Sequence, residues 1–359
     1  MLPKVLSRWS TQKPTPAAAT AAPVPAPPSE ADAPAPAAPP RAPTPATKLF
    51  GGETNISDEV EAGADVRRHL RTALQELEGT LDATDRRGDA LALFERLSKS
   101  GEKTVRQPPA AAQRALDMMR RPDVPIPDLV RLVEQDPSLA QALLRHANSA
   151  LYAAASGAQV VSLTDAIRRV GTQGLRSVVL ASMVEGMLCR PGAAFDQMVR
   201  AVWEHMVRSA PLARGIAPAF GVVPDEAFTI GLLHDVGKLV LFDRIGTLRT
   251  ELRRDVVLSP PLVTRMLRLL HEPLGGAAAL RWSLGKGATE VIASHHRRAE
   301  PLVPSAHAEC VYVAERLDLA LVRQEVLDLA TWWEAGRLRT PRDLVEPYVG
   351  RVAALRTTD

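Results

Sequence analysis

From Pro108 onward this chain carries the start and stop signals of helices more densely than any other structural signal. Pro127 and Asp128 open the stretch Asp-Leu-Val-Arg-Leu-Val-Glu, where proline suits a first turn whose amides lack partners and the acid complements the positive helix end. Asp136-Pro137-Ser138 closes that helix and caps the next, Leu139 to Asn148, because Asp and Ser side chains accept bonds from the first amides. Thr164 to Gly171 reads as another short helix with Gly171 as its C-terminal stop. Alternating strand-like runs are scarce, and aromatic residues make up only 4% of the chain. The expected fold is all-α.

Both ends differ from this middle. Residues 1–52 read as a disordered tail: from Pro14 to Pro45 the chain alternates Pro and Ala, which offer few amide donors and little apolar area to offset ordering entropy. A docking ligand for a proline-reading domain is the functional alternative. Residues 53–104 form a helical element, with Val60, Val66, Leu70, Leu74, Leu77 and Leu81 at helical spacing and a second stripe of Leu91, Phe94 and Leu97. These helices either pack on the main domain, expected over residues 105–325, or serve dimerisation or partner binding. Residues 326–359 are expected to be a helical extension.

Charge excludes little and points to few partners. The formal net charge is +3, and residues 1–48 supply all of it, with Lys4, Arg8, Lys13, Arg41 and Lys48 against Glu30 and Asp32. The remainder is neutral in sum, so nucleic acid is not expected as a partner, and Arg253-Arg254 and Arg297-Arg298 read as solvated helix faces. No apolar run approaches the roughly 18 residues of a membrane span, and the N-terminus has no signal-peptide pattern, so a cytoplasmic protein is expected. The two cysteines, Cys189 and Cys310, are too few and too far apart for a disulfide framework or a thiolate zinc site.

Residues 231–241, Gly-Leu-Leu-His-Asp-Val-Gly-Lys-Leu-Val-Leu, place His234, Asp235 and Lys238 inside a core-like run. A buried carboxylate needs compensation, either an ion pair with Lys238 three residues on or a bound metal. His205, His271 and the pair His295-His296 stand in similar settings, and imidazole with carboxylate suits iron, manganese or zinc. A set drawn from several helices is how helical bundles build metal sites. Asn148 and Ser149 read as helix-ending residues that bond local backbone.

Three separated segments carry a resemblance. Asp136 to Tyr152, Ser162 to Gly171 and Glu226 to Leu239 resemble the successive signatures of the HDOD domain, an all-helical, bacterial, signalling-associated branch of the HD superfamily. The resemblance spans about residues 105–325. It implies that His205, His234, Asp235, His271, His295 and His296 occupy ligand-like positions for a divalent metal, with Asp235 and Lys238 as the catalytic pair of an HD-type phosphohydrolase. It also places Glu315 where the superfamily has its distal aspartate. No Gly-Tyr-Pro element follows the doublet, and Arg297-Arg298-Ala299-Glu300 stands where the cyclic-di-GMP-hydrolysing branch has Glu and then Asp-Gly. The resemblance therefore implies a regulatory module that binds other signalling proteins, with retained metal and no hydrolysis. The alternative is a metal-dependent phosphohydrolase acting on a cyclic dinucleotide or other nucleotide phosphate. A nucleotide ligand and a second copy of the chain are further candidate partners.

Overall fold

Most helices begin where the sequence supplies either a side-chain oxygen or a proline for the first turn. The computed structural model describes residues 56–100, 104–119, 121, 123–149, 152, 159–189, 195–296 and 305–356. The Pro/Ala tail, Arg297 and Arg298 lie outside the described residues. Among the described residues there is no strand. The fold is all-α.

Helices α1 (Ile56–Gly79), α2 (Ala83–Arg87) and α3 (Ala90–Ser100) come first, with the Asp82 carboxylate accepting from the Thr84 and Asp85 amides at the start of α2. The stripe Val66, Leu70, Leu74 and Leu77 is buried, but Val60 is 62% exposed and Leu91 also lies outside the core. The apolar face of α1 thus begins a turn later than the spacing implies, with Ala62 filling the turn near its start.

Helices α4 (Ala110–Met118), α5 (Ile126–Glu134) and α6 (Pro137–Ala147) follow. Asp136 caps α6 by accepting from the Ser138 and Leu139 amides, as its position implies. Asn148 ends α6 and does more than bond its own helix. Its amide donates to the Leu144 and Val160 carbonyls, and its oxygen accepts from the Val160 amide, which ties the next segment to the helix end. Helix α7 (Leu163–Leu188) corrects one expectation. Gly171, at φ 69° and ψ 177°, breaks the helical path without ending the element, which turns there and continues to Leu188. A side chain at that positive φ would be strained.

Helices α8 (Asp196–Ile216), α9 (Pro224–Leu233), α10 (Val236–Leu252), α11 (Pro260–Arg281) and α12 (Lys286–Ile292) carry the doublet and the other candidate ligands. α8 packs on α9, α10 on α11, and α1 along α11. The α10–α11 crossing depends on Gly237, where a Cβ would stand 1.8 Å from the His271 carbonyl oxygen and 2.5 Å from the Gly275 nitrogen. Only a glycine admits backbone that close, and the approach carries His271 toward Asp235.

Helices α13 (Ala306–Arg323), α14 (Ala330–Glu334) and α15 (Arg342–Arg356) complete the fold. Leu212, Ile216 and Phe220 from the end of α8 and the turn after it join Tyr312, Leu317, Leu329, Val345 and Val349 in a second apolar cluster. Arg253 and Arg254 are exposed, as expected, but lie past the end of α10, and the Arg254 guanidinium also donates to both oxygens of Asp89, which accepts from the Val257 amide as well. Cys189 and Cys310 are both free thiols. No helix among the described residues is long and apolar enough to cross a membrane.

Candidate metal centre

His234 and Asp235 occupy the junction between α9 and α10, which splits the apolar run of 231–241 at the doublet. Both residues are 0% exposed. Lys238, one turn into α10, donates to Asp235 Oδ2, so the ion pair allowed by their spacing is made. That pair satisfies one carboxylate oxygen only. Asp235 Oδ1 is buried with no hydrogen-bond partner among the described residues.

Five histidines from four parts of the chain gather around this carboxylate. His205 on α8 and His234 bring their Nε2 atoms to 3.7 and 3.6 Å from Oδ2. His271 on α11 and His295 beyond α12 each bring Nε2 to 3.8 Å from Oδ1. His296 stacks against both His271 and His295, with ring centroids at 4.9 and 4.3 Å. The ligand atoms form two groups sharing Asp235, one with His205 and His234, the other with His271, His295 and His296; within each group they lie within 4.8 Å of one another.

The far side of these rings fixes which nitrogen faces inward. His234 Nδ1 donates to the Gly231 carbonyl at 2.8 Å, and His295 Nδ1 donates to the Ile292 carbonyl at 3.0 Å. His205 Nδ1 donates to Asp318 Oδ2 at 2.7 Å. Carbonyl and carboxylate oxygens only accept, so each Nδ1 carries the hydrogen and each Nε2 presents a lone pair toward Asp235 when the ring is neutral. Locking a ring by its outer nitrogen is how proteins orient a histidine for metal.

Burial is the main cause that pushes the His234 imidazole down to about 3, with the neighbouring His205 and His295 adding to it, so this ring is neutral and free to coordinate. Burial alone would raise the Asp235 carboxyl, but Lys238 and then the surrounding imidazoles outweigh it and hold the group well below the usual carboxylate range. An anionic oxygen and the His295 Nε2 lone pair are both buried without hydrogen-bond partners among the described residues. Such groups are costly to leave unmet, and a divalent ion between them would meet them. The donor set of imidazoles and carboxylate fits iron, manganese or zinc.

Glu315 and Asp318, both buried on α13, take places behind the histidines. Glu315 Oε2 stands 3.4 Å from His296 Nδ1, outside both ligand groups. Burial and then the negative charge of Asp235 push its carboxyl up from the ordinary glutamate value. Asp318 accepts from His205 and also from the Arg208 guanidinium at 2.9 Å. Those bonds outweigh burial and hold its carboxyl low. Asp318 lies one turn beyond Glu315 on α13. The signal for its role was the pair His205 and Arg208, three apart on one helix face, which calls for an acid opposite.

A family model of the HDOD domain matches residues 105–298, which is 194 of the 359 residues and more than half of the chain. The chain belongs to the HDOD family. The matched HDOD segment contains His205, the doublet and the His295-His296 pair, while Glu315 and Asp318 lie beyond it. Among solved structures, a "Putative metal-dependent phosphohydrolase" from Shewanella amazonensis SB2B is similar at a TM-score of 0.56 and 17% identity, covering 74% of this chain and 98% of that one. A "Putative phosphohydrolase" from the same organism has a TM-score of 0.52 and 23% identity, covering 73% and 94%. A "Putative signal transduction protein" from Marinobacter aquaeolei VT8 has a TM-score of 0.51 and 21% identity, covering 82% of this chain and 64% of its own. At these identities the likeness is one of fold. No curated protein matched the chain.

Proposed function

We propose that this protein is an HDOD regulatory module of a bacterial signalling pathway, cytoplasmic, that holds a divalent metal at Asp235 and acts by docking other signalling proteins. One observation carries the metal: three histidines locked through Nδ1 present Nε2 to a buried carboxylate whose Oδ1 has no hydrogen-bond partner. Two others favour binding over hydrolysis. Lys238, which a phosphohydrolase would use to steady phosphate charge, is committed to Asp235. The acids of α13 lie behind His205 and His296, Asp318 accepting from His205 Nδ1 and Glu315 standing 3.4 Å from His296 Nδ1, outside both ligand groups.

The second reading is a metal-dependent phosphohydrolase acting on a cyclic dinucleotide or another nucleotide phosphate. It is favoured by the division of the ligands into two groups that share Asp235, since paired metals clamp both oxygens of an in-line displacement. Metal analysis of the purified protein, followed by a hydrolysis screen with iron, manganese and zinc, separates the two. Retained metal with no turnover is expected. Turnover that vanishes in His234→Ala would contradict the regulatory reading, and absence of metal would contradict both.

A further inference from the structure

The two oxygens of Asp235 have different surroundings. On the Oδ2 side the carboxylate oxygen already has a cation, since Oδ2 accepts from Lys238, and the His205 and His234 Nε2 atoms face each other at 3.2 Å. The acid behind this side, Asp318, is spent on His205 Nδ1 and Arg208, so among the described residues His205, His234 and Asp235 have no fourth protein ligand. On the Oδ1 side the accounting is open. Asp235 Oδ1 and His295 Nε2 are buried without hydrogen-bond partners among the described residues. Asp235, His271, His295 and His296 there make a four-residue group, each member at most 8% exposed.

We propose that the cluster takes a single metal ion, on the Oδ1 side between Asp235, His271, His295 and His296, and that Lys238 fills the second cation position on the Oδ2 side beside His205 and His234. The assignment rests on the metal reading above and deepens it. A tethered ammonium on Oδ2 repels a divalent ion from the same oxygen, while its charge leaves Oδ1 free to bind. Four ligands complete a closed coordination set on one side, whereas three with an ammonium among them do not. The arrangement also explains why a chain that keeps these histidines places no carboxylate of α13 in either group. With one ion, the paired-metal clamp of phosphodiester hydrolysis is not assembled.

The test uses the full chain, stripped with chelator and reloaded with manganese alone. Stoichiometry is read by elemental analysis, and ion–ion coupling by electron paramagnetic resonance. The wild type is expected to take up one manganese per chain with the spectrum of an isolated ion. His295→Gln and His271→Gln should weaken manganese binding by about a hundredfold, His205→Gln by less than about threefold. Lys238→Met, which keeps the stem and removes the charge, should admit a second, coupled ion. Circular dichroism and thermal melts identify variants that fail to fold, and the wild-type result stands without them. Two coupled ions in the wild type, or equal losses in His205→Gln and His295→Gln, would overturn the assignment and leave the metal reading intact. No manganese in the wild type would overturn both.

Discussion

Asp235 shows how one buried charge organises its neighbours. Lys238 answers half of the carboxylate and the imidazoles stand around the rest. Removing the acid leaves Lys238 without its carboxylate partner, so Asp235→Ala is expected to lose about 3 kcal/mol of stability in urea denaturation and to lose bound metal. A variant as stable as the parent would show that the ion pair is dispensable. His146 supplies a second expectation, away from the cluster. Its ring packs edge-on against Tyr152 and Phe228, and burial, with Arg214 behind it, pushes its imidazole from 6.5 down to about 4. Between those values the unfolded chain binds the proton and the folded chain does not, so stability falls as pH falls through that window. His146→Phe keeps the ring contacts and removes the titration. Relative to wild type it should gain about 2 kcal/mol on going from about pH 8 to about pH 5. An unchanged difference across that range would contradict the burial account.

At the scale of the element, helix starts were legible because capping is local chemistry: Asp136 and Pro137 act where their positions imply. Helix continuations were less so. Whether the chain stops or turns at Gly171 depends on what the following residues pack against, and Leu175, Val179 and Leu180 are core residues that carry α7 onward. The stripe of α1 was legible from Val66 onward but not in its first turn, where Val60 is exposed to solvent. The closest element contact, Gly237 against α11, gave no signal beyond the glycine itself. Gly237→Ala must push α10 from α11, so thermal melts should show a loss of about 3 kcal/mol, with metal binding weakened alongside. Retained metal affinity would mean that the crossing does not set the ligand geometry. Asn148→Ala removes three bonds, one to Leu144 within α6 and two to Val160, and should cost about 2 kcal/mol in urea denaturation.

At the scale of the molecule, the all-helical class and the candidate ligands could be read from residue types and motif order, because both are properties of short segments. The pairing of α13 acids with particular histidines could not, since it depends on how α13 lies across α8. The C-terminal helices were likewise legible as helices but not as core. They cover Leu212, Ile216 and Phe220, so a chain ending after Gln324 should expose that face and aggregate on heating, checked by light scattering against the full chain. The central claim is that the Asp235 cluster is a metal site. Anomalous diffraction from crystals of the metal-loaded full chain, collected at the metal's absorption edge, tests it most directly. The account predicts a peak in bonding contact with Asp235, flanked by His271 and His295. A map with no peak there would contradict it.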